Sequence, residues 1–178
     1  EILEAMTKAS RSHVDMRELH EKAGKRIAEL VGAEAACITG CAAAGLCISV
    51  AACITGKDLD KVKKIPEIES DRKEVIIQRA HRNPFDHAIR QTGAKLVVIG
   101  TKDDVTSEDL KSAINKNTVA MVYVHDTHLP SVTLPFQQVV EICHGSNVPL
   151  VVDTAAELPP PANLQNFLKQ GADLVVFS

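Results

Sequence analysis

Hydrophobic and polar positions change period repeatedly along this chain, and each change marks an element. From Asp15 to Val31 the apolar residues Leu19, Ala23, Ile27 and Leu30 recur at helical spacing, with Asp15 placed to cap the start and Gly32 to end it. The charged face of that helix reads as solvated. Glu1 to Met6 also reads as helix. Ala35-Ala36-Cys37-Ile38 reads as a short strand, and Thr39-Gly40-Cys41-Ala42-Ala43-Ala44-Gly45 as a turn into a helix of small residues running to about Ile54. The segment 56–73 carries charge without either period and holds Pro66, so a solvated surface loop is expected there.

Beyond it, strands and helices alternate. Runs of β-branched and aliphatic residues at Glu74–Gln78, Lys95–Gly100, Asn117–Val124 and Val148–Val152 predict buried strands, and Asp173–Ser178 predicts a last one. Pro84 sits where a helix can start, Thr106 and Asp109 have capping-box spacing, and Pro135 opens a helix to about His144. Asn163 is placed to cap a helix that ends at Lys169 before Gly171. The alternation implies right-handed βαβ units, hence a three-layer αβα fold with a mostly parallel sheet.

In such sheets ligands gather at the carboxyl ends of the strands. The polar residues that stand out all fall there: Thr39-Gly40-Cys41, His81-Arg82, His125 to His128, Asp153 and Ser178. Asp153 ends a wholly apolar strand, and a lone buried carboxylate is costly, so it is either a paired or helix-capping structural acid or a functional one. The Gly-Ala turn leaves unpaired N–H groups at a helix start, which suits a phosphate; the same small residues also suit close helix packing. His81 can stack on a flat ring or move protons, and Arg82 can fork onto a phosphate or carboxylate. His87, farther into its helix, reads as a surface histidine. His125 and His128 flank Asp126, but no further ligands follow at metal-site spacing, so no metal is expected.

Composition narrows the class. The 178 residues are 45% hydrophobic and 24% charged, enough for one globular domain with its own core. A net charge of −3 and a pI near 6.2 give no electrostatic footprint for nucleic acid or an anionic membrane. The five cysteines lack CxxC spacing and read as buried thiols of a reducing cytoplasm. Gly40, Gly45 and Ser49 break the apolar run from Ala33 to Thr55, so no membrane span is expected. Both ends of the sequence read as cut.

Taken in order, these features resemble the large domain of the fold-type-I pyridoxal 5′-phosphate (PLP) enzymes, the aspartate-aminotransferase-like superfamily. Within it the chain is similar to the selenocysteine-synthase-like group, which includes L-seryl-tRNA(Sec) selenium transferase and D-glucosaminate-6-phosphate ammonia lyase. The resemblance implies that residues 1–178 are an incomplete large PLP-binding domain, with the small C-terminal domain and the Schiff-base lysine lying beyond Ser178. It implies that Thr39, Gly40, Cys41 and Ala42 hold the cofactor phosphate, that His81 stacks on the pyridine, and that Asp153 meets the protonated pyridine nitrogen. Ala155 would pack under the ring, His128 would lie near the phenolic oxygen, and Ser178 would bind the phosphate. His81 and Asp153 are the expected catalytic residues, and Arg82 the candidate for an anionic substrate group or an interface contact.

The implied activity is that of a PLP-dependent lyase or transferase acting on a small-molecule amino compound, with ammonia elimination from a phosphorylated amino sugar acid in first place. Selenium transfer onto seryl-tRNA is the alternative, disfavoured by the acidic balance of the chain. A non-catalytic PLP-fold scaffold is a third reading. The resemblance also implies a homodimer or higher homo-oligomer.

Overall fold

Two compact units make up the chain, Glu1–Ile38 and Thr39–Ser178. The computed structural model describes residues 1–125 and 132–178. The first unit holds α1 (Ile2–Ala9) and α2 (Met16–Val31). Asp15 caps α2 by accepting from the N–H groups of Arg17 and Glu18 at 2.8 and 3.1 Å, and Gly32 ends it in the left-handed conformation (φ 69°). At Gly24 the helix backbone meets the segment after it so closely that a Cβ would fall 2.2 Å from the carbonyl oxygen of Ala36. Residues 35–38 form no strand: the run is short, mostly exposed and pairs with no strand among the described residues.

The second unit begins with α3 (Ala42–Thr55) and α4 (Leu59–Lys64). The latter lies inside the segment expected to be a loop. It is held by the Asp58 cap and by exposed Lys–Asp pairs rather than by an apolar face, and so leaves no period in the sequence.

Among the described residues five strands follow, β1 (Glu74–Gln78), β2 (Lys95–Ile99), β3 (Thr118–Val124), β4 (Leu150–Asp153) and β5 (Leu174–Val176), all parallel and ordered β2-β1-β3-β4-β5. Alternating side chains divide between two cores. Val75, Ile77, Val122 and Val151 pack with Leu46 and Val50 of α3 and with Ile89 of α5 (His87–Arg90). On the other face Ile76, Met121, Leu150 and Val152 pack with Leu110 of α6 (Ser107–Ala113), Val139 and Cys143 of α7 (Phe136–Gly145) and Phe167 of α8 (Asn163–Lys169). The three-layer αβα arrangement expected from the alternation is the one observed.

Two start signals fare differently. Thr106 and Asp109 form the full capping box of α6. Asn163 is the first residue inside α8 rather than its cap, because its amide reaches back to the carbonyl oxygen of Glu157 at 2.8 Å.

The strand order sets the location of a site. From β1 the chain moves outward to β2, then returns to the opposite side of β1 as β3. The two connections diverge there, which puts the topological switch point, where ligands of such sheets gather, at the carboxyl ends of β1 and β3.

Candidate active site

His81 and His125 follow the two strands at that switch point, and Asp153 ends the next strand over. Their backbones are linked: the N–H of His125 donates to the carbonyl oxygen of Asp153 at 2.9 Å, extending the β3–β4 ladder by one rung.

Asp153 caps no helix, because the chain turns after it and α8 starts only at Asn163. Its Oδ1 accepts from the N–H of Ala155 at 3.1 Å, and among the described residues it forms no ion pair. Burial pushes its carboxyl above the ordinary aspartate range, against the weaker opposing pull of the Ala155 N–H. A half-buried acid without a counter-charge is suited to receive a cationic N–H. Ala155 itself is exposed.

The stretch from Thr39 to Gly45 resolves into two parts, the turn before α3 and the first residues of α3 itself. Gly45 serves packing, since a Cβ there would lie 2.9 Å from Cγ1 of Val176 on β5. Gly40 instead faces open space, with nothing within 4 Å of where its Cβ would be. The Thr39 hydroxyl donates to the carbonyl oxygen of Cys41 at 2.9 Å, leaving the helix start without a side-chain cap. No acidic residue occupies the first turn. Thr39, Gly40, Cys41 and Ala42 thus surround a helix end with free donors and no competing anion.

His81 is 1% exposed. Its Nδ1 accepts from the N–H of Val124 at 3.3 Å, and its ring meets Tyr123 edge-on with centroids 4.5 Å apart. Burial, with His125 adding to it, lowers its pKa to about 4, so the ring is neutral at physiological pH. The ring occupies the expected strand end, but its faces are covered.

Arg82 points its Nε at Asp86, whose carboxylate is buried and also accepts from Arg90 at 3.3 Å. His87 begins α5. Ser178 lies exposed just past β5. His128 lies outside the described residues. Among the described residues no group of three or more metal-ligating side chains comes together.

Glu157 is a member of this edge that the sequence pattern did not flag. It is 7% exposed, and its Oε2 lies 3.2 Å from Nδ1 of His125 at an angle that makes no hydrogen bond. The His125 ring also packs edge-on against Phe167, centroids 4.8 Å apart. Glu157 sits in an aperiodic Pro-rich stretch, and the partner that gives it meaning, His125, comes just after β3.

The fold is that of the PLP-dependent transferase-like α/β proteins. A structure of D-glucosaminate-6-phosphate ammonia-lyase superposes with a TM-score of 0.92 at 34% identity, covering 99% of this chain and 48% of that one. A family model described as L-seryl-tRNA selenium transferase matches residues 4–178, and the chain belongs to that family. Among curated relatives it is 34% identical to D-glucosaminate-6-phosphate ammonia lyase of Salmonella typhimurium over 100% of this chain and 48% of that protein. It is also 34% identical to 5′-C-glycyluridine monooxygenase-decarboxylase of a Streptomyces species, over 99% of this chain and 45% of the relative. L-seryl-tRNA(Sec) selenium transferase of Mannheimia succiniciproducens shares 32% identity over 84% of this chain and 33% of its own length. The chain thus spans half or less of each of these relatives.

Proposed function

We propose that the protein is a PLP-dependent enzyme that eliminates ammonia from a phosphorylated amino sugar acid. The observation carrying this reading is the likeness to the ammonia lyase along the whole chain, 34% identity with a TM-score of 0.92. The residues present fit the cofactor: a helix start without a side-chain cap or acidic side chains suits its phosphate, and a half-buried Asp153 without an ion-pair partner among the described residues suits a protonated ring nitrogen. When bound, PLP supplies an electron sink for the bonds around the substrate's amine-bearing carbon.

The chain's own groups then have these roles. Thr39, Gly40, Cys41 and Ala42 hold the phosphate through backbone N–H groups, with Ser178 adding a hydroxyl. Asp153 stays ionised against the ring nitrogen and keeps the proton there. Ala155 leaves room beneath the ring. His81 is the candidate wall, a role that requires the cover over its ring to part. Arg82, with Nε already fixed by Asp86, has its terminal nitrogens for an anionic substrate group. We further propose a cytoplasmic homo-oligomer; no helix among the described residues is long and apolar enough to cross a membrane.

The test is to load the full-length protein with PLP, supply D-glucosaminate 6-phosphate and measure ammonia. Release that depends on cofactor is the expected result; cofactor uptake without release would reject this substrate. The family model itself favours a second reading, selenium transfer onto seryl-tRNA. Tight, salt-sensitive binding of seryl-tRNA by the same protein would select that reading instead.

A further inference from the structure

The carboxyl edge contains a pair for which the roles above have no use. His125 directly follows β3, Glu157 is buried behind it, and Phe167 flanks the ring. The His125 side chain is 35% exposed, while its Nδ1 is buried and left without a hydrogen bond, 3.2 Å from Glu157 Oε2. A buried acid on one ring nitrogen, with the rest of the ring reaching solvent, is the arrangement that orients an imidazole as a base. A small ring rotation would align Nδ1–H with Oε2.

We propose that His125, oriented by Glu157, is the base that removes a proton from the substrate's ammonium group. This rests on the functional reading above, because an amino substrate arrives protonated at neutral pH and reacts only as the free amine. In the step, an N–H bond of the substrate breaks and its electron pair stays on the substrate nitrogen. The proton bonds to Nε2 of His125, and the resulting imidazolium faces the Glu157 carboxylate. Among the described residues, three ionisable groups lie near His125. Glu157 follows β4, His81 lies in the turn leaving β1, and Asp153 is paired to His125 through the backbone. His81 is held neutral and has its Nδ1 occupied by Val124, so it does not compete for the proton.

Two measurements test this on the full-length protein. First, two-bond proton–nitrogen NMR spectra of the cofactor-free wild type, taken at alkaline pH where imidazoles are neutral, should place the His125 proton on Nδ1. Glu157→Gln should shift it toward Nε2. A wild-type proton on Nε2 overturns the proposal, and this result needs no variant to fold. Second, with PLP and D-glucosaminate 6-phosphate, His125→Gln should slow turnover about a hundredfold at neutral pH. The rate should then climb with pH as free amine accumulates, and added imidazole should restore part of it. Glu157→Gln should lose about tenfold. An unchanged pH profile in a folded His125→Gln protein rejects the base role while leaving the lyase intact. A wild type that takes up no PLP instead removes the functional reading, and the base role with it.

Discussion

The backbone N–H of Val124 donates to Nδ1 of His81 at 3.3 Å, tying the end of β3 to the turn that leaves β1. This bond requires an unprotonated Nδ1, and burial reinforces it by lowering the His81 pKa from 6.5 to about 4. The unfolded chain therefore takes up a proton that the folded chain refuses. Stability from His81 is complete above pH 6.5 and is lost as pH falls from 6.5 to about 4. The window corresponds to roughly 3 kcal/mol. Denaturant melts of wild type and His81→Gln across that range should show the variant less stable at pH 7 and less sensitive to acid.

Asp153 gives the opposite sign. Its carboxyl is raised by burial, so the folded state favours the protonated acid, and that stability fades as pH rises through the raised value. Without cofactor, Asp153→Asn should melt no lower than wild type at pH 8, and slightly higher. With cofactor the order should reverse, because the amide cannot meet a ring cation. Removing one partner of a buried pair costs roughly 3 kcal/mol, about a hundredfold in PLP affinity. Spectroscopic titration with PLP reads the affinity directly, and equal affinities would show that Asp153 does not face the ring nitrogen.

The sheet was legible because Val75-Ile76-Ile77 and Val119 to Val124 are unbroken apolar runs, buried on both faces. His81, His125 and Asp153 could be placed at one edge for the same reason, whereas Thr39 follows no strand, because the one expected at 35–38 does not form. Strand order was not legible, since β1 sits between β2 and β3 and no local pattern encodes that neighbour choice. The α4 helix was hidden because capping and ion pairs hold it while Leu59 stays 72% exposed. The buried state of His81 and the approach of Glu157 to His125 depend on contacts between strands distant in sequence.

The glycines give a contrast that separates packing from binding. At Gly24 a methyl group would meet the carbonyl oxygen of Ala36, which is backbone and cannot swing away. Gly24→Ala should therefore lose about 1–3 kcal/mol in denaturant melts, the usual cost of overpacking. At Gly40 the same methyl meets nothing. Gly40→Ala should keep wild-type stability but bind PLP more weakly, since the added group narrows the approach to the first N–H groups of α3. Equal PLP affinity in a folded Gly40→Ala protein would place the phosphate elsewhere.

Asp86 decides what Arg82 can do. The acid is 5% exposed and shared by two arginines, so it is fully compensated, while the terminal nitrogens of Arg82 remain at a partly exposed surface. If those nitrogens take the anionic end of the substrate, they bind the ground state and the transition state alike. Arg82→Gln should then raise KM for a phosphorylated substrate by about tenfold with kcat within about twofold of wild type. Asp86→Asn attacks the same site from below: two guanidiniums lose their buried counter-charge, so stability should fall by about 3 kcal/mol and KM should rise as Arg82 loses its fixed orientation. Stability loss in Asp86→Asn with an unchanged KM in Arg82→Gln would show that the cluster serves only to anchor α5 to the end of β1.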